Sequence, residues 1–306
     1  MELLAPAESR VYIPMFKSCM ICTDFSDGLH RLVNFIPQLA KGGIKQVVFV
    51  HSVPLWEEGE IPRVDQEGIQ KAQAYLSQAL VKVPEQIDVK IEVPSGRPID
   101  TIPRILETYN SEVIITGTPI RSLLQEKIFG STSKGLAKLV TIPLMTLRPE
   151  LISTYTDEEL SLRCQHLWRY LLIPYNDSES ARYLIKRIKE YAQKRPENSL
   201  EKCMLCSIVE EGGRRGIPID YRLQEAQEKL EEAKQELEEV GLQVQIEVKA
   251  GNPIQEVLHL ALDFDISAIA IGDVGSSNLF EWTKPSFASD LLCRSWFPVL
   301  LFSPKR

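Results

Sequence analysis

Residues 112–133 read E-V-I-I-T-G-T-P-I-R-S-L-L-Q-E-K-I-F-G-S-T-S. The run Val113-Ile114-Ile115-Thr116 is apolar and β-branched without polar alternation, the pattern of a strand buried on both faces of a parallel sheet. Such a strand ends at a crevice where a ligand can sit. Gly117 stops it where a backbone could approach a ligand, and Gly130-Ser131-Thr132-Ser133 opens a helix running through Leu136 and Leu139 to Val140. Unpaired N–H groups at a helix N-terminus, with the helix dipole and neighbouring hydroxyls, make a seat for an anion such as phosphate. The same residues also read as a strand end followed by an ordinary Ser/Thr cap, and the sequence leaves both readings open.

The chain has 306 residues, 44% hydrophobic and 25% charged, enough to bury two cores of roughly 150 residues each. A net charge of −7 argues against sequence-independent nucleic-acid binding, which needs a basic face. The opening MELLAPAESRVYIPMF contains acids and prolines and lacks the continuous apolar core of a secretory signal. No run reaches the ~18 apolar residues of a membrane span. The expected address is cytoplasmic, without nucleic-acid or membrane partners.

The pairs Cys19/Cys22 and Cys203/Cys206 have C-x-x-C spacing, but both lie in apolar, strand-like runs. Residues three apart on a strand point to opposite faces, which disfavours chelation. The cysteines therefore read as small buried apolar residues, and the four histidines, 30, 51, 166 and 259, show no metal-ligand spacing. No metal site is expected.

The sequence repeats itself. Ser95-Gly96-Arg97-Pro98-Ile99 and Ala250-Gly251-Asn252-Pro253-Ile254 stand 155 positions apart, and the same offset carries Val93 to Val248, Gly117 to Gly272, Ser131 to Ser286, Pro143 to Pro298 and Pro149 to Pro304. At an offset of 152, Ser26, Leu32, Val33 and Ile36 fall on Ser178, Leu184, Ile185 and Ile188. The chain is a duplicated unit of about 140 residues, a usual domain length. We expect domains at 1–150, with a leader at 1–16, and at 151–306, with a polar linker at about 148–165.

Within the first unit, strands are expected at 19–23, 46–53, 87–93, 113–116 and 142–147, alternating with helices whose apolar residues recur at steps of three and four. The residues Asp24-Phe25-Ser26-Asp27 read as a turn and helix cap. The second unit repeats the plan with strands at 170–174, 202–209, 244–248, 266–271 and 298–302. The loop Gly212-Gly213-Arg214-Arg215-Gly216 reads as a solvated connection, and the Glu-, Gln- and Lys-rich helix at 219–240 as a solvated outer helix. Right-handed crossovers then give two tandem open, mostly parallel five-stranded α/β sheets flanked by helices, a Rossmann-like three-layer α/β/α arrangement.

Here the residues resemble the universal stress protein family, as a tandem of two such domains over nearly the whole chain. The family pattern ends its first strand in P-x-D-x-S and carries G-x-x-G, nine residues, then G-S or G-T. The first half has Cys22-Thr23-Asp24-Phe25-Ser26, then Gly117-Thr118-Pro119-Ile120, nine residues and Gly130-Ser131. The second has Pro174-Tyr175-Asn176-Asp177-Ser178, then Gly272-Asp273-Val274-Gly275, nine residues and Pro285-Ser286.

The resemblance implies an adenine nucleotide alpha hydrolase-like fold, halves packed as an internal pseudo-dimer through their last strands, and a stress-associated regulator that binds ATP or AMP, with Mg as an accompanying ion. Carried over, Thr23, Asp24 and the Ser52 backbone would face the adenosine; Gly117, Gly130, Ser131, Thr132 and Ser133 would hold ribose and phosphates, with Thr116 a further binding candidate at the strand end. Asn176, Gly272, Gly275 and Ser286 form a weaker second set, because Pro285 has no N–H to donate. A β-branched Ile120 in place of a glycine with positive φ would be strained by ~1–2 kcal/mol. The first half is the favoured site. The competing expectation is a scaffold that binds no nucleotide and recruits partners, with a homodimer as a further arrangement. No nucleophile, base and orienter are grouped in sequence, so no catalytic residue is assigned and slow ATP hydrolysis ranks third.

Overall fold

A computed structural model of the chain describes residues 15–26, 28–56, 62–118, 131–193, 200–210, 217–273 and 286–304. The first half contains β1 (Ser18–Cys22), a 3-10 stretch (Leu29–Phe35) running into α1 (Ile36–Lys41), β2 (Gln46–Val50), α2 (Gln66–Leu76), β3 (Asp88–Glu92), α3 (Pro98–Tyr109), β4 (Val113–Gly117), α4 (Ser131–Leu139) and β5 (Leu144–Leu147). After α5 (Pro149–Thr154) and α6 (Asp157–Gln165), the second half contains β6 (Tyr170–Pro174), α7 (Glu179–Gln193), β7 (Lys202–Val209), α8 (Ile219–Glu238), β8 (Gln243–Ala250), α9 (Pro253–Asp263), β9 (Ala268–Gly272), α10 (Phe287–Arg294) and β10 (Val299–Phe302).

Each half is a parallel five-stranded sheet, and the two join edge to edge in the order β3-β2-β1-β4-β5-β10-β9-β6-β7-β8. The joint is antiparallel, with Val299 opposite Thr146, Leu300 opposite Met145 and Leu301 opposite Leu144. Every residue of β5 and β10 is buried, so what would be an exposed edge in either half is paired. Side chains alternate between two cores: Cys19 and Ile21 pack with α1, α2, α7 and α8, while Met20 and Cys22 pack with α3, α9 and α10. Both cores run continuously through the two halves.

The duplication is visible in hydrogen bonds as well as elements. Gly96 N donates to Val53 O at 2.8 Å and Gly251 N to Val209 O at 3.1 Å. The two glycines have φ of +125° and +147°, which an L side chain rarely adopts, so the turn explains why glycine recurs there. Likewise Thr118 N reaches Leu147 O, and Asp273 N reaches Phe302 O.

Three stretches take a form that the sequence pattern alone does not specify. The polar stretch 148–165 is helical: Pro149 starts α5 in its first turn, and Thr156 and Glu159 form a capping box for α6, with Thr156 N to Glu159 Oε2 at 2.8 Å. Its polar residues are a solvated outer face, while Ile152, Leu160 and Cys164 are buried in the core that runs through both halves. The leader ends inside the protein: Met15 and Phe16 are buried, and the Phe16 ring meets Trp168 at 5.1 Å and Tyr191 at 5.0 Å, both in the second half. The helix after β1 begins as a 3-10 stretch behind Gly28, with no side-chain cap, and Pro37 in the first turn of α1 has no N–H to continue the ladder backwards. At the same place the second half has the fifteen-residue α7.

Candidate functional site

Parallel strands deliver their carboxyl ends, and the helices that follow deliver their N-termini, to one edge of each half. In the first half, Thr23 N closes β1 onto Val50 O at 3.0 Å, and the buried Thr23 hydroxyl accepts from Phe25 N at 3.0 Å. Asp24 is exposed, and its Oδ1 accepts from Ser26 N at 2.9 Å and Ser26 Oγ at 2.7 Å. It thus closes an Asx turn rather than capping a helix. Ser52 Oγ lies 2.7 Å from Thr101 Oγ1 at the start of α3. Behind them, Ser133 Oγ donates to Thr116 Oγ1 at 3.2 Å, with both residues buried. Gly130, Ile120 and Asp27 lie outside the described residues, as do the side chains of Ser131 and Thr132.

The first strand end also carries a cluster that the sequence reading missed. Phe25 has φ of +64° and stacks on the His51 ring at 4.2 Å and 31°, with Tyr75 at 5.1 Å and His30 at 6.2 Å. His51 Nδ1 lies 2.9 Å from the Thr23 carbonyl. The only sequence signal was an aromatic inside Thr23-Asp24-Phe25-Ser26, which contacts His30, His51 and Tyr75 only after folding.

In the second half, Tyr175 N closes β6 onto Cys206 O at 2.7 Å, the counterpart of Thr23. Asn176 Oδ1 accepts from Ser178 N at 3.2 Å, as Asp24 does for Ser26. The residue matching Phe25 in the repeat is Asp177, again at positive φ, +57°. Its carboxylate is held by Arg182 at 2.8 Å and by Lys229 at 3.9 Å. Where one copy lays an aromatic ring over the strand end, the other has a small ion-paired side chain. A cavity of about 670 Å³ opens beside it, within the range of small-molecule sites.

This cavity is lined by Asn176, Gly272 and Ser286, by the first turns of α7, α9 and α10, and by Arg222 and Lys229 on one face of α8. Ser286 Oγ caps α10 by accepting from Ser289 N at 3.2 Å, and Asn252 Oδ1 caps α9 by accepting from Ile254 N at 3.1 Å. Three helix dipoles therefore point their positive ends at one space. Arg222 Nη1 donates to Glu210 O at 2.9 Å, while its buried Nε has no partner among the described residues. The lining carboxylates are Asp177, Glu210, Glu225 and Asp273. Gly272 has a packing reason to be glycine, since a Cβ there would run into the Ser180 carbonyl oxygen. Gly275, Pro285 and the 212–216 loop lie outside the described residues.

All six cysteines are buried and none is in a disulfide, and burial pushes the Cys19 and Cys206 thiols up. Among the described residues no group of three or more His, Cys, Asp or Glu could hold a metal ion, and no helix is long and apolar enough to cross a membrane.

The model of the Universal stress protein family matches twice in succession, over residues 15–148 and 168–303. The chain belongs to the universal stress protein family. No curated protein matches the sequence. Among solved structures, a universal stress protein from Archaeoglobus fulgidus DSM 4304 is 18% identical and aligns over 94% of this chain and 99% of its own, with a TM-score of 0.60. A putative universal stress protein from Pseudomonas aeruginosa UCBPP-PA14 is 14% identical over 94% of each chain, with a TM-score of 0.50. At these identities the likeness shows the fold, the tandem α/β arrangement. A shorter universal stress protein solved in complex with cAMP is 16% identical, over 44% of this chain and 97% of its own, with a TM-score of 0.35.

Proposed function

We propose that this universal stress protein is a cytoplasmic, stress-associated regulator that binds an adenine nucleotide, with domains at 1–150 and 151–306 forming an internal pseudo-dimer through β5 and β10. The observation that carries the ligand reading is the cavity of about 670 Å³ at the carboxyl ends of β6, β7 and β9, where three helix N-termini converge beside Arg222 and Lys229. Its donors suit one phosphate group. Four carboxylates around two basic side chains disfavour the larger charge of a triphosphate, so AMP fits this lining better than ATP unless Mg accompanies the latter. Two or three charge-assisted contacts of ~1.5–3 kcal/mol each suffice to move a ligand from millimolar towards micromolar affinity.

The first half supports a second reading. The exposed Asp24, Ser52 and the buried Thr116–Ser133 hydroxyl pair stand at its strand ends, with Thr23, Gly117, Gly130, Ser131 and Thr132 in the family pattern.

Calorimetry with AMP and ATP on the full chain, on Lys229→Ala and on Asp24→Ala separates these readings. Saturable AMP binding that weakens at least about tenfold in Lys229→Ala, a loss of about 1.4 kcal/mol, and is unchanged in Asp24→Ala supports the second-half site. The reverse pattern moves the ligand to the first half. Absence of heat at millimolar nucleotide overturns both in favour of a partner-recruiting scaffold.

A further inference from the structure

A second cavity, of about 440 Å³, lies where the first half, the connecting helices and the second half meet. None of the residues put forward for nucleotide binding lines it. Its depth is mainly apolar: Leu39 of α1 and Ile115 of β4 are fully buried, Ile152 and Leu160 come from α5 and α6, and Ile266 closes the far wall from the second half, while the one buried cation of the lining, Arg148, turns its guanidinium to the carbonyls of Thr118, Leu292 and Ser295. Its mouth is edged by two large apolar residues that remain in solvent, Leu162 at 61% exposure and Trp296 at 57%. Apolar side chains left exposed at the opening of an apolar cavity mark a binding site better than scattered surface hydrophobics do.

The rim is polar on one side. Arg163, His166 and Arg169 follow one another at the end of α6 and the turn after it. Arg169 pairs with Glu201 at 3.6 Å, and burial together with Arg169 lowers the His166 pKa. Of the acids in the lining, Glu159 accepts from Thr156 N in the capping box, and Asp265 stands on the second-half side. Arg163 lies over the Tyr155 ring at 4.3 Å and has no carboxylate within ion-pair distance among the described residues. A cation in the last turn of a helix also complements the helix dipole. That role alone would require neither the cavity nor its apolar mouth.

We infer that this junction cavity binds a medium-chain carboxylate, its alkyl chain lying among Leu39, Leu160 and Ile266 and its carboxylate at the Arg163 guanidinium. Because the walls come from both halves, occupancy ties α6 to the second half and stiffens the joint between the domains.

The test is calorimetry and Trp emission with decanoate, kept below its micelle concentration, with decanol and decylamine as the neutral and cationic comparisons. Saturable one-to-one decanoate binding is expected, with an emission change that is absent in Trp296→Phe and affinity at least tenfold lower in Arg163→Glu. Arg163 is exposed, so the variant should fold, as circular dichroism would verify, and it should favour decylamine instead. No saturation at millimolar decanoate, unaltered affinity in Arg163→Glu, an emission change that survives in Trp296→Phe, or decanol binding as tightly as decanoate would each overturn the inference.

Discussion

Arg148 Nε donates to the carbonyl of Ser295 at 2.6 Å, across the joint between the two halves. The same guanidinium donates to Leu292 O in the second half and to Thr118 O at 2.7 Å in the first. Ser295 and Leu292 are at the C-terminal end of α10, where carbonyl oxygens and the helix dipole favour a cation. Burial nevertheless pushes the Arg148 pKa down to about 10, with Cys293 and Glu150 offsetting only part of that cost.

Replacing Arg148 by Met should destabilise the chain by ~3 kcal/mol or more, because the carbonyl oxygens it serves would be left in the interior without donors. Lys at this position should recover only part of the loss, since a single ammonium cannot reproduce the guanidinium fork. Urea unfolding of the three proteins checks this. A Met variant within ~0.5 kcal/mol of the wild type, the range of ordinary surface substitutions, would mean that the joint is held by strand pairing and core packing alone.

Gly272→Ala should cost ~1–3 kcal/mol through overpacking, because the added Cβ collides with the Ser180 carbonyl and the α7 backbone must shift. Thermal denaturation without ligand measures it. If the variant melts normally and loses only AMP affinity, Gly272 serves the ligand and not the fit of helix to strand.

Thr156→Ala removes the acceptor for Glu159 N at 3.3 Å and should cost ~1 kcal/mol. Hydrogen exchange should quicken first at residues 157–160. Uniformly faster exchange across the chain would place the effect in global stability instead.

Stability should fall on the alkaline side. Burial pushes the Cys164 thiol up from 9.0 to about 12 and the Cys293 thiol up to about 11, while burial and then Asp177 push Tyr175 up from 10.0 to about 12. Each folded value lies above the unfolded one, so each contribution is present below the unfolded pKa and is lost as pH climbs to the folded pKa. Arg148 works the other way between about 10 and 12.5. Between pH 8 and pH 10.5 the thiols dominate, so the urea midpoint should drop, and drop less in Cys164→Ala. An unchanged midpoint over that interval would refute the burial of these thiols.

The strands were legible wherever they are buried on both faces: Val113-Ile114-Ile115-Thr116 reads as β4 in sequence and forms it, because a run without polar alternation has no solvent face to present. The glycine turns were legible too, since φ of +125° at Gly96 and +147° at Gly251 leaves few residue choices. The helical 148–165 segment was missed because its amphipathic signal is weak, although Thr156 and Glu159 stood at capping-box spacing. The second-half strand end, where the larger cavity lies, was ranked below the first for a different reason. Phe25 and Asp177 occupy matched repeat positions with matched positive φ, and only their contacts, an aromatic stack in one copy and an ion pair in the other, distinguish the two strand ends.

The sequence by itself determined the duplication, the α/β alternation, the family and the residues at the strand ends, because these depend on local periodicity and on backbone conformations that few side chains tolerate. Tertiary structure alone decided that Arg148 bolts the joint where β5 and β10 meet, and that open space lies beside Asn176 and again beneath α6. Those features depend on the distance between side chains more than a hundred residues apart in the chain or on volumes left unfilled, and neither quantity has a signature in residue order.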